Sequence, residues 1–134
     1  MSDFDNLQKS EIVISKILQD LLQTGLQYGT ALEFKELDLP EEFEGFFVGC
    51  CLWLLDEGIV RCTNYDQVRK GVPMVNPVIT AHGFGLLGQK FVGGPEGEKV
   101  GQAVKKVAEG SASYSGIGDF VGGLLGGFTK SLGS

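Results

Sequence analysis

The chain has 134 residues, enough for one compact domain with an appendage and too few for a two-domain enzyme. Hydrophobic residues make up 43% and charged residues 21%, an ordinary globular balance, but there are 21 glycines and the net charge is −6. The acidity is regional: residues 33–57 hold eight acids against Lys35 alone, whereas 58–92 are locally basic.

The amino terminus, MSDFDNLQKS, lacks the basic start and apolar run of a secretory signal, so a cytoplasmic protein is expected. Cys50, Cys51 and Cys62 form an odd set with two adjacent members, unlike a disulfide framework, and reduced thiols are expected.

From Ser10 to about Thr24, Ile14, Ile17, Leu18, Leu21 and Leu22 recur at helical spacing, with Ile12 and Val13 widening the apolar face. This predicts an amphipathic helix, followed by a linking stretch with two glycines. Asp38 stands three residues before Glu41, with Pro40 between them, which predicts a capped second helix from about Leu39 to Glu57.

That second helix contains FFVGCCLWLL, an uncharged run of ten residues, short of the roughly 20 a membrane span requires. At about 100° per residue, Glu41, Glu42, Gly45, Gly49, Leu52 and Asp56 form one narrow stripe outside the core. The rest of the helix is bulky and apolar and is expected to be core.

GIVRCT and MVNPVIT read as two short strands joined by the polar loop NYDQVRKGVP, with Pro77 favouring an edge position. ITAHGFGLLGQK follows, then a hinge at GGPEGE. Val100, Val104 and Val107 mark a short helix, and a glycine-rich segment runs from Ile117 to Leu132. The expected organisation is an α+β domain over residues 1–92, a linker over 93–116 and a tail over 117–134.

Over about residues 10–90, this order of elements resembles the winged-helix family. The pattern that carries the resemblance is a helix ending in Leu54, Leu55, Gly58 and Ile59, then two strands, then Thr80, Gly83, Leu86 and Leu87. The resemblance implies helices packed on a two- or three-stranded wing, and DNA binding is the commonest task of such domains. In ALEFKELDLP, where the family has a middle helix, there is room for little more than a turn.

Gly83, Gly85 and Gly88 fit G-x-G-x-x-G, but VGGPEGEKVG stands where a crossover helix should continue and no second parallel strand follows. Gln89 between Gly88 and Lys90 also breaks the phosphate-loop pattern. On the winged-helix reading Thr80 closes the second strand, Gly83 permits a turn into a short helix, and Leu86 and Leu87 plug the core.

The three cysteines and His82 have the number but not the spacing of a zinc site, and the thiols are expected in the core. His82, the sole histidine, reads as a surface or capping residue, and Glu41, Glu42 and Glu44 suit the dipole of a helix start. No catalytic, cofactor-binding or metal-ligating residue is expected, and the protein is read as not an enzyme.

A recognition helix presents cationic and amide side chains to DNA, whereas this stripe offers acids, glycines and a leucine. Arg61, Arg69 and Lys70 near the wing are possible nucleic-acid contacts, few beside the roughly six to ten phosphates that binders neutralise. Gly45 and Gly49, one turn apart, either admit another helix or pack inside the domain.

In the tail, Ile117, Phe120, Val121, Leu124, Leu125, Phe128 and Leu132 gather within an arc of about 140°, with glycines behind. Its five glycines from Gly118 to Gly127 cost a helix about 4 to 5 kcal/mol relative to alanine. Burying the seven apolar side chains returns up to roughly 10 to 20 kcal/mol. Helix formation there therefore requires an apolar partner.

The leading expectation is an interaction or adaptor module that docks or self-associates through Glu41, Gly45, Gly49 and Asp56 and through Ile117, Phe120, Leu124, Leu125 and Phe128. A DNA-binding regulator using the wing is the alternative. Contact of residues 117–132 with a membrane surface is the third reading.

Overall fold

The computed structural model describes residues 6–88 together with Lys99, Gln102 and Lys105. Over residues 6–88 it is a mixed α+β arrangement of four α-helices and two small antiparallel ladders. Helix α1 spans Asn6–Thr24, one turn earlier at its start than the apolar spacing predicts, with Ser10 Oγ donating to the Asn6 carbonyl at 2.8 Å. Val13, Ile14, Ile17, Leu18 and Leu21 are buried, but Leu22, expected on the same face, is 39% exposed. Gly25, at φ +68°, ends the helix, its N–H donating to the Leu21 carbonyl at 2.9 Å.

Strand β1, Ala31–Leu32, lies in what reads from the sequence as linker. A single 3-10 turn, Phe34–Leu37, follows where the resemblance would place a middle helix. Asp38 ends this turn at φ +54° and does not cap the next element, contrary to expectation. A short polar side chain tolerates that left-handed backbone, and it leaves Pro40 as the cap, with no side-chain hydrogen bond.

The expected second helix divides into a 3-10 segment, Glu41–Phe46, and helix α2, Phe47–Asp56. Tighter winding at three residues per turn puts Phe43 and Phe46 on the inner side and Glu41 and Glu44 on the outer one. Accordingly Phe43 is buried and Phe46 partly so, while both glutamates are exposed. Helix α2 packs on α1 and ends in a Schellman motif: Ile59 N–H donates to the Leu54 carbonyl at 3.0 Å and Gly58 N–H to that of Leu55 at 3.1 Å. Gly58 sits at φ +74°, as that ending demands.

Strand β2, Val60–Arg61, leads to a short helix, α3, Tyr65–Val68, inside the expected polar loop. Asn64 braces this loop, its amide donating to the Pro73 carbonyl and its oxygen accepting from Val75 N–H, both at 2.8 Å. The expected continuous second strand is broken. Strand β3, Met74–Val75, pairs with β1 (Leu32 opposite Met74), and β4, Val78–Ile79, pairs with β2 (Val60 opposite Ile79).

Asn76, at φ +53°, and Pro77 make the break; Pro77 is buried, and because each described ladder has only two strands, both pieces are edge strands, as expected. The Asn76 N–H donates to the Thr30 carbonyl at 2.7 Å, and its side chain accepts from Gly29 N–H at 2.7 Å, which aims the chain from one partner to the other.

Helix α4, Ala81–Leu87, buries Leu86 and Leu87, as expected. Thr80 caps it, Oγ1 accepting from Gly83 N–H at 2.9 Å while the hydroxyl donates to the Gly58 carbonyl. Gly83 lies within the helix rather than in a turn before it. A methyl there would overlap the Ile59 carbonyl oxygen and the Ile79 side chain. Close approach, not turn geometry, is what requires glycine here.

Candidate interaction surface

The exposed face of the α2 region follows from its two windings. Glu41, Glu42, Glu44, Gly45, Val48, Gly49 and Asp56 are exposed, whereas Leu52 is half-buried against the core. Glu41, Glu42 and Glu44 form no ion pair among the described residues. Asp56, two turns beyond Gly49, is engaged elsewhere, its Oδ1 accepting from the Tyr65 hydroxyl at 2.6 Å. That bond to a carboxylate holds the Tyr65 phenol above its usual pKa.

Beside the glycines lies a groove of about 310 Å³ between α1 and α2, lined by Ser10, Ile14, Gly45, Phe46, Gly49, Cys50 and Trp53. Phe46 and Trp53 are half-buried in its walls, so the apolar side of the second helix is not wholly core as its composition suggests. Phe46 carries Lys9 over its ring, Nζ 5.8 Å from the centroid, and the Cys50 thiol donates to the Ser10 carbonyl at 3.6 Å.

Among the described residues, a methyl group on Gly45 or Gly49 would meet no atom within 4 Å beyond its chain neighbours and its own helix backbone. Packing against the described part of the domain therefore does not account for these two glycines. The groove walls were not legible beforehand, since Phe46 and Trp53 carry the same apolar signal as core residues. The clue was the glycine pair next to them.

Cys50 and Cys51 are buried, and burial pushes both thiols up to about 12. Cys62 is half-buried, and all three are free thiols. His82 sits half-buried in the first turn of α4, where Thr80, not His82, is the cap. Asp20 and Glu36 line a polar cleft near the end of α1. Desolvation raises Asp20, and desolvation with the nearby Asp20 carboxylate raises Glu36. Among the described residues no three His, Cys, Asp or Glu side chains are grouped to hold a metal ion.

Arg61 lies on β2, and Arg69 and Lys70 follow α3; all three are exposed. Ile117, Phe120, Leu124, Leu125 and Phe128 lie outside the described residues, as does the rest of the 117–134 tail. Of the 93–116 linker only three residues are described: Gln102 and Lys105 are helical, and Gln102 N–H donates to the Lys99 carbonyl at 3.0 Å. No helix among the described residues is long and apolar enough to cross a membrane.

The chain matches no family model, no curated protein and no solved structure.

Proposed function

We propose that this chain is a non-enzymatic protein-interaction module of winged-helix type, which docks a helical partner or another copy of itself through the α2 face. The observation that carries this reading is the open, largely apolar groove lined by Gly45 and Gly49 together with Ile14, Phe46 and Trp53. Missing side chains let a second backbone approach closely, and Phe46 and Trp53 offer aromatic contact area on the flank.

The winged-helix reading is supported by the order of the ladders. One segment, residues 74–79, pairs first with the strand after α1 and then with the strand after α2. The same face argues against DNA as its ligand, because Glu41, Glu42 and Glu44 would meet a polyanion with like charge.

A regulator that uses the wing instead is a second reading. It is favoured by the exposure of Arg61, Arg69 and Lys70, which make no ion pair among the described residues. Contact of residues 117–132 with a membrane surface is a third reading, motivated by the glycine spacing of that segment.

Light scattering tests the first reading. Full-length protein at tens of micromolar is expected to exceed the monomer mass, and Gly49→Leu is expected to reduce it. A monomer mass for both removes self-association. Isothermal titration of the full-length protein and the Gly49→Leu variant against a host-derived binding peptide then tests docking of a different partner.

A further inference from the structure

The described surface carries an apolar knob as well as an apolar groove. Tyr28 is 88% exposed and Leu26 73%, the two most exposed large hydrophobic residues among the described ones. Single exposed apolar residues are ordinary, but these two stand on a turn that the fold pins at both ends. Gly25 and Gly29 bracket it at φ +68° and +87°, Gly25 N–H donating to the Leu21 carbonyl at 2.9 Å and Gly29 N–H to Asn76 Oδ1 at 2.7 Å. A backbone already fixed in place loses little freedom on docking.

We infer that this turn seats in the α1–α2 groove of a second copy, with Leu26 and Tyr28 against Ile14, Phe46 and Trp53. The inference rests on the reading of the α2 face as a docking surface, and it adds what docks there. Three considerations select this occupant.

The first is size. The groove, about 310 Å³, lies at the small end of the roughly 300 to 1,000 Å³ range of ligand pockets, which suits one or two inserted side chains.

The second is charge. Glu42 stands one 3-10 turn before Gly45, on the same side of that segment, and Glu44 adjoins the glycine. With Glu41 these exposed acids outnumber Lys9, the cation over Phe46, so two copies of the groove face would repel each other. The turn is complementary: residues 21–32 are uncharged, and exposed Arg61 lines the same cleft as Leu26 and Tyr28.

The third is separation. Ile14 on the groove and Thr24 at the end of α1 are ten residues apart, about 15 Å of helix, and the turn lies beyond, anchored to Asn76. The turn is held away from the groove of its own chain, so a second molecule has to supply it. The contact therefore joins unlike patches.

Two variants separate the halves of the contact in full-length protein. Leu26→Asp with Tyr28→Asp removes the knob, and Gly49→Leu obstructs the groove. All three positions are exposed, and far-UV circular dichroism should match wild type in both variants. Each variant alone is expected to weaken association at least about tenfold, giving the monomer mass in light scattering where wild-type protein is heavier. An equal mixture of the two should restore a dimer and nothing heavier, because the intact turn of one fits the intact groove of the other. Trp53, the only tryptophan, lines the groove, so its quenching by acrylamide should fall in the mixture.

Wild-type mass in the Leu26→Asp, Tyr28→Asp variant overturns the inference. If Gly49→Leu lowers the mass in that case, the docking reading stands with another occupant, and if it does not, self-association through this face falls as well. Two monomeric variants that stay monomeric when mixed also overturn the inference, as does a monomeric wild-type protein, which leaves docking of a different partner to the titration above.

Discussion

The α-carbon of Gly83 in α4 lies against the backbone carbonyl of Ile59, leaving no space for a methyl group. This contact joins the end of the α2 region to the last described helix, and Thr80 reinforces it by bonding to the Gly58 carbonyl. In an exposed helix, glycine to alanine gains about 1 kcal/mol. Here overlap with backbone reverses the sign, so Gly83→Ala should destabilise by about 1 to 3 kcal/mol in urea unfolding.

Gly58→Ala tests the left-handed residue of the Schellman motif. Its φ of +74° costs any residue with a β-carbon about 1 to 2 kcal/mol. Thermal unfolding should show a midpoint lower by roughly 4 to 8 °C per kcal/mol, with the helical signal at low temperature retained.

Removing the hydroxyl of Thr80 deprives α4 of its cap and leaves a partly buried carbonyl without its donor. Thr80→Val is expected to cost about 1 to 2 kcal/mol, and Thr80→Ser to recover most of it. Equal losses in both variants would mean that the methyl group matters instead of the hydrogen bonds.

The buried thiols give the fold an alkaline limit. Cys50 and Cys51 are raised from 9.0 to about 12 in the folded chain, so the unfolded chain loses its protons first. Their stabilising contribution is full below about 9 and declines as pH rises towards 12. The urea midpoint should fall across that window, and less steeply in the Cys50→Ala, Cys51→Ala double variant. At pH 8 a thiol reagent should react fastest with half-buried Cys62.

Duplex DNA separates the two leading functional readings. At low salt no tight binding is expected, and Arg69→Glu with Lys70→Glu should change nothing. Tight, salt-sensitive association abolished by that double variant would instead establish the wing as a phosphate-contacting element.

Several features of the fold were readable in advance because their causes are local. The spacing of Ile14, Ile17, Leu18 and Leu21 indicated α1, Gly58 after Leu55 marked the end of α2, and Leu86 and Leu87 read as core. Most of the acidic stripe was also legible: Glu41, Glu42, Gly45, Gly49 and Asp56 are exposed, whereas Leu52 packs half-buried against the core. The start of the second helix differs from the expected one because the winding changes from three to about 3.6 residues per turn, which a single helical wheel cannot represent.

By itself the sequence determined most of the buried face of α1, the C-terminal ends of α1 and α2 and the regional charge, since each depends on residues within a turn or two of one another. Only the tertiary structure decided that residues 74–79 divide between two partner strands, because those partners lie far away along the chain. It also decided which apolar residues of α2 became groove wall. Phe46 and Trp53 are as hydrophobic as their buried neighbours, and what distinguishes them is the empty space above Gly45 and Gly49, which exists only once α1 is packed alongside.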